Sequence, residues 1–100
     1  MTHGVVVTGL GMVTPVGNDV ESTWEALLAG RSGAAPITKF DASNQQVRFA
    51  CEVKNFDPLQ WVEKKDLKKM DIFIQFAIAA SQFAMDHAKL GITPELAPRV

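Results

Sequence analysis

At 100 residues the chain has the length of one ordinary domain, and an apolar share of 47% is enough for a packed core rather than a disordered segment. A formal net charge of −1 argues against a general polyanion binder, and a single cysteine, Cys51, excludes an intramolecular disulfide framework and any multi-cysteine metal site. Met1 to Gly17 lacks the basic start and cleavage site of a secretory signal. Together with the missing disulfides, this sets the expectation of a cytoplasmic protein.

Val5 to Thr8 is a continuous β-branched run, the pattern of a central strand covered on both faces. Gly9, Gly11, Pro15 and Gly17 then form a long turn into a helix. Asn18 is placed to cap it, with Glu21 three residues on as reciprocal partner. Val20, Trp24, Leu27 and Leu28 give a stripe expected to be buried, and Gly30 sits where a left-handed cap belongs. Strand, glycine-rich turn and helix suggest a dinucleotide-binding turn, and Gly9-Leu-Gly11 supplies two of its glycines. The third falls on Thr14, however, and Pro15 and Gly17 lie where the phosphate-facing helix should already be running. The simpler reading is that these glycines allow a tight turn and close packing.

Val47 to Val53 alternates, with Val47, Phe49, Cys51 and Val53 on one face, and reads as a half-buried strand. Cys51 falls on its apolar side, without an adjacent base or helix N-terminus to activate a thiolate, so it reads as a small core residue. Asp57-Pro58 opens a second helical region over Gln60 to Lys69. If it is helical throughout, Lys64, Lys65, Lys68 and Lys69 span an arc of about 140°. Lys64–Lys68 and Lys65–Lys69 are then like-charge pairs costing ~0.2–0.5 kcal/mol each. Such a face is either simply solvated or a docking patch for an acidic partner; nucleic acid is a poor fit, since no aromatic side chain interleaves with the lysines.

Met70 to Leu90 has no proline or internal glycine and is rich in alanine, so helix is favoured, with Gly91 as its stop. Asp71, Gln75, Gln82, Asp86 and Lys89 fall within an arc of roughly 60°. The rest is apolar nearly all round, as in a helix buried between layers, and the polar positions argue against a membrane span. A helix of that kind needs more partners than so short a chain supplies. Of the two histidines, His3 lies in a terminus and His87 reads as a partly buried packing residue near the helix end. Thr93, Pro94 and Pro98 mark a connector.

Val5-Val-Val-Thr-Gly-Leu-Gly-Met-Val-Thr-Pro-Val-Gly17, Glu21 to Gly33, Ile37-Thr-Lys-Phe-Asp41, Phe49-Ala50 and Lys69-Met-Asp-Ile-Phe-Ile-Gln-Phe76 together resemble the amino terminus of the β-ketoacyl-[acyl-carrier-protein] synthases. The similarity is greatest to the type II elongating enzymes of bacterial fatty-acid synthesis. The resemblance implies an α/β class, the amino-terminal part of a thiolase-like fold layered α-β-α-β-α and usually a homodimer. Residues 1–100 would then be an amino-terminal segment of a ketosynthase domain that continues beyond Val100, not an autonomous domain.

The implied reaction is decarboxylative Claisen condensation of an acyl thioester with malonyl-acyl carrier protein, by a cysteine nucleophile and two histidines. The family nucleophile sits in a turn such as Ala-Cys-Ser or Ala-Cys-Thr, which Ala50-Cys51-Glu52 does not match, so no catalytic residue is expected within 1–100. No cofactor or metal is implied, because the phosphopantetheine arm arrives on acyl carrier protein. The resemblance also favours docking over plain solvation for Lys64, Lys65, Lys68 and Lys69, with acyl carrier protein as partner and neither membrane nor nucleic acid. The alternative is a non-catalytic or polyketide-type ketosynthase-like subunit that only docks the carrier.

Overall fold

The computed structural model describes residues 3–100; Met1 and Thr2, where the reading of the signal region begins, lie outside the described residues. Its longest element is a 17-residue helix, Ile72–Ala88. Before it come α1 (Val20–Leu28), a two-stranded sheet of β1 (Ala34–Pro36) and β2 (Phe49–Cys51), and the short α2 (Lys64–Leu67), so the long helix is α3. Single 3-10 turns occupy Pro58–Gln60 and Ala97–Arg99. Helices with a small antiparallel sheet make the chain α/β.

Asp19, one residue later than Asn18, caps α1: its carboxylate accepts from the Ser22 N–H at 2.8 Å. Asn18 instead donates to the Lys54 and Asn55 carbonyls at 2.8 and 3.2 Å, a tie across the chain that no local pattern announces. At the other end Gly30 takes φ 68°, as expected. It lets Arg31 N–H reach the Ala26 carbonyl and Gly30 N–H the Leu27 carbonyl, closing the last turn.

The Asp19 carboxyl is held below its ordinary pKa of 3.8, first by the Ser22 hydroxyl and then by the Ser22 N–H. A lowered folded-state pKa adds stability that is present above the unfolded value and is lost as pH falls through the folded one. Asp19→Ala should therefore cost roughly 1 kcal/mol at neutral pH, with the difference closing in acid. Urea unfolding at neutral and acid pH checks this, and a cost unchanged by pH would refute the charged cap.

Which faces are covered differs from expectation. On α1 the buried residues are Thr23 and Ala26, while Trp24, Leu27 and Leu28 are exposed. The small face packs because Thr23 is drawn in by Thr14 Oγ1 at 3.0 Å and the Gly17 carbonyl at 3.3 Å. Val5 to Thr8 forms no strand: Val5 is 99% exposed and Val6 and Val7 are 78%. A central strand needs neighbours on both edges, and none pairs with it among the described residues.

The strand expected over 47–53 shrinks to β2, paired with β1 in the register Ala34↔Cys51, Ala35↔Ala50 and Pro36↔Phe49. β1, Ala-Ala-Pro, has none of the β-branched or aromatic residues that mark a strand. Phe49 and Cys51 are exposed, so Cys51 is not a core residue, because no layer covers that face of the pair.

Around α3, Gln75 and Ala79 are buried, so one member of the polar arc lies inside. Its Nε2 donates to the Met70 carbonyl at 3.3 Å, which satisfies the amide inside. Asp71, Gln82, Asp86 and Lys89 are exposed as expected. Ile72, Phe73 and Ile74 are exposed too, so α3 is covered on one side only. The helix ends before Gly91: Lys89 itself takes φ 55°, and the Lys89 and Leu90 N–H groups return to the Asp86 and Met85 carbonyls.

A radius of gyration of 17.3 Å exceeds the ~13 Å of a compact 100-residue domain. The accessible surface, 8160 Å², exceeds the roughly 5,600 Å² of a compact monomer of this mass. Among the described residues no large side chain is fully buried.

Candidate functional site

The four lysines lie on a short helical turn and its end rather than along one continuous helix from Gln60 to Lys69. The expected helix over Gln60 to Lys69 breaks at Trp61–Glu63, where Glu63 is extended at φ −67° and ψ 143°. Trp61 and Val62 both donate to the Pro58 carbonyl, at 3.0 and 2.9 Å, which closes the first turn and buries Val62.

Lys64 and Lys65 lie in α2, Lys68 caps it, and Lys69 follows, its N–H on the Asp66 carbonyl at 3.0 Å. All four are exposed. Lys65 meets Glu63 at 3.2 Å, a solvated pair worth little. Lys64, Lys68 and Lys69 have no ion-pair partner among the described residues.

The segment that precedes this turn packs on α3. Asp57 caps the 3-10 turn by accepting from Leu59 N–H at 3.1 Å. Phe56 meets Phe76 edge-on with centroids 5.0 Å apart, and Trp61 meets Phe83 at 4.7 Å and 67°. Phe76 and Phe83 stand two turns apart on α3, so the 56–61 segment lies along that helix. Lys39 places its ammonium 5.9 Å over the Phe76 ring, at the outer limit of a cation–π contact.

The residues weighed for chemistry are scattered. Cys51 is exposed on β2. His87 is exposed rather than packed, and its Nδ1 accepts from the Leu10 N–H at 3.0 Å, tying the glycine-rich turn to the end of α3. His3 is exposed near the terminus. Among the described residues no group of three or more His, Cys, Asp or Glu side chains could hold a metal. None of their helices is long and apolar enough to cross a membrane.

Sequence reasoning missed Lys54. Its ammonium donates to the carbonyls of Pro15 at 3.1 Å, Gly33 at 3.1 Å and Glu52 at 2.9 Å. It also lines an open cavity of about 500 Å³ with Thr14, Val16, Asn18 and Arg31. With all three protons committed to carbonyls, Lys54 joins segments rather than offering a free cation. The Glu52 carboxylate is likewise used internally. It accepts from the Thr38 hydroxyl at 2.9 Å and the Thr38 and Lys39 N–H groups, and the Thr38 hydroxyl foremost holds its pKa below the ordinary 4.5.

Residues 2–99 match the family described as beta-ketoacyl synthase, N-terminal domain. The 3-oxoacyl-[acyl-carrier-protein] synthase 2 of Vibrio harveyi is 56% identical over 96 residues, which is 96% of this chain and 23% of that protein. The protein of the same name from Synechocystis sp. is 53% identical over 88 residues, 88% of this chain and 21% of its own length. The solved structure of the ishigamide ketosynthase/chain length factor aligns with a TM-score of 0.78 at 42% identity, over 86% of this chain and 21% of that one. The chain thus spans less than a quarter of the length of these relatives. A family match across 2–99, with identity above 50% to two such synthases, shows that the chain belongs to the β-ketoacyl synthase family, within its N-terminal domain.

Proposed function

We propose that this chain forms the carrier-facing amino-terminal part of a condensing enzyme of fatty-acid elongation. In the proposed reaction a cysteine thiolate outside residues 1–100 takes an acyl group from acyl carrier protein, releasing the carrier thiol. Malonyl-carrier protein loses carbon dioxide, and the carbanion attacks the acyl-cysteine thioester. The β-ketoacyl product leaves on the carrier and the thiolate is regenerated, with two histidines, also outside this stretch, assisting decarboxylation and the enolate oxygen.

The working protein is read as a cytoplasmic homodimer of the layered α-β-α-β-α fold, with no cofactor besides the carrier's phosphopantetheine arm. Residues 1–100 are read as dependent on further chain for cover, a reading supported by the exposure of Val5 to Val7 and of Phe73 on α3.

The observation that carries the reading within this stretch is the exposed turn of Lys64, Lys65, Lys68 and Lys69. Exposed charges contribute ~0.2–1 kcal/mol each, but several acting on one acidic surface raise encounter rates and set orientation. In the protein containing this chain, Lys65→Glu with Lys69→Glu should raise KM for acyl- and malonyl-carrier protein roughly tenfold or more. Turnover of a small pantetheine thioester should change much less. The wild-type KM for the carrier should climb with salt, since the Debye length of about 8 Å at physiological ionic strength shrinks. Equal loss on both substrates would show a folding defect instead of docking, and loss on neither would return the lysines to a solvated face.

A second reading, prompted by the likeness to a ketosynthase/chain length factor, is a non-catalytic or polyketide-type ketosynthase-like subunit that only docks the carrier. Mass spectrometry of the purified protein after incubation with acyl-carrier protein separates the two: a covalent acyl adduct supports the enzyme, and its absence supports the subunit.

A further inference from the structure

The turn that carries the four lysines is attached to α3 at both ends, and the two attachments differ in kind. Upstream, Val62 is buried and the Trp61 ring stands edge-on to Phe83 at 4.7 Å. Downstream, the buried Gln75 donates from Nε2 to the Met70 carbonyl at 3.3 Å, one residue past Lys69. Gln75, Ala79 and Phe83 follow one another at intervals of four, and so occupy one stripe of the helix; Gln75 and Ala79 are the buried residues of α3.

Between these two attachments, α2 is a single turn whose N-cap Glu63 makes no side-chain capping hydrogen bond and in which no residue is buried. A four-residue helix is unstable on its own. Its conformation is therefore imposed from outside, by the two attachments.

We propose that Trp61 and Gln75 are positioning residues for carrier docking: they hold the lysine turn in one conformation on α3, so that the charges are already arrayed when the partner arrives. The proposal rests on the docking reading of Lys64, Lys65, Lys68 and Lys69. The physical reason is preorganisation. A loosened turn would have to be ordered at the moment of binding, and that cost appears in affinity for the carrier and not in the chemical step. Neither residue touches substrate in this scheme. Each acts through the lysines, Trp61 from an apolar edge contact and Gln75 from an amide that leaves the Met70 carbonyl satisfied.

The test uses the full protein containing this chain and four variants: Trp61→Leu, Trp61→Phe, Gln75→Leu, and Lys65→Glu with Lys69→Glu. KM and kcat are measured on malonyl-carrier protein and on a small pantetheine thioester. Trp61→Leu and Gln75→Leu should each raise KM for the carrier by roughly two- to tenfold, the range of one aromatic or hydrogen-bonded contact. Turnover at saturating carrier, and all parameters on the small thioester, should stay within about twofold of wild type. Trp61→Phe, which keeps a ring against Phe83, should restore most of the KM.

Equal loss on both substrates would show a structural role only and overturn the proposal. So would an unchanged carrier KM in Trp61→Leu and Gln75→Leu while the lysine reversal raises it. An unchanged KM in the lysine reversal itself would overturn the docking reading, and the proposal with it. If Trp61→Leu does not fold, Gln75→Leu decides: a KM rise confined to the carrier supports positioning, and an unchanged carrier KM refutes it.

Discussion

Replacing Gly11 with alanine should destabilise the protein by about 3 kcal/mol or more, because overpacking against backbone has no cheap relief. A Cβ at Gly11 would run into the Ala80 carbonyl oxygen and lie 2.8 Å from Ala84 N. At Gly9 it would meet the Ala84 carbonyl oxygen and lie 2.7 Å from Ala88 N and 2.8 Å from Ala88 Cβ. The glycine turn therefore lies on the ridge Ala80, Ala84, Ala88, which is small at every fourth residue, so that two backbones nearly touch.

Trimming side chains does not help at Gly11, where the obstacle is main chain. At Gly9, Ala88→Gly should recover part of the loss. Urea unfolding of Gly11→Ala beside Gly91→Ala, where a Cβ would meet open space, checks this. A Gly11→Ala cost within about 0.5 kcal/mol, the range of ordinary surface substitutions, would show that the close approach is absent. The same contact explains why a glycine pattern suggestive of nucleotide binding is no such site: the surface that would face a phosphate faces a helix.

Lys54→Met should have the next largest effect. Methionine keeps much of the aliphatic stem but leaves the Pro15, Gly33 and Glu52 carbonyls without their common donor. One hydrogen bond to a charged group contributes about 1.5–3 kcal/mol. Because the carbonyls are solvent-accessible and water can replace the ammonium, the expected total is near the lower figure. Lys54→Arg should not restore it, since a planar guanidinium cannot converge on three carbonyls as an ammonium does.

The segments that separate are the glycine-rich turn, the strand pair and the residues before the 3-10 turn, which Asn18 also ties through Lys54 and Asn55. Amide exchange should therefore quicken around Gly33 and Asn55 while α3 stays protected. Uniform loss of protection would show instead that Lys54 contributes only to global stability.

Local chemistry was legible at particular residues. The alanine-rich run without proline marked α3, the Val20–Leu28 pattern marked α1, and Gly30 announced a left-handed turn because only glycine enters that region at no cost. The lysine turn was legible as a charge cluster, and its exposure follows from charge alone. The cap of α1 was misplaced by one residue because Asn18 and Asp19 are both good caps, and the choice fell to a carbonyl pair near residue 54. Lys54 gave no signal, since a solitary lysine after a strand is ordinary and its Pro15 partner lies 39 residues away.

By itself, then, the sequence determined the period, capping chemistry and charge of each segment, and with them the family pattern across residues 5–76. Only the tertiary structure decided which faces are covered: Thr23 and Ala26 on α1 instead of Trp24 and Leu27, and Gln75 and Ala79 on α3 instead of Phe73. It also decided that Val5 to Thr8 has no strand beside it among the described residues, and that the 60–69 stretch breaks at Trp61–Glu63, with the Trp61 ring against Phe83. Helix and strand preference is a property of neighbours along the chain. Burial depends on what arrives from elsewhere, as when the Leu10 N–H finds His87 across 77 residues.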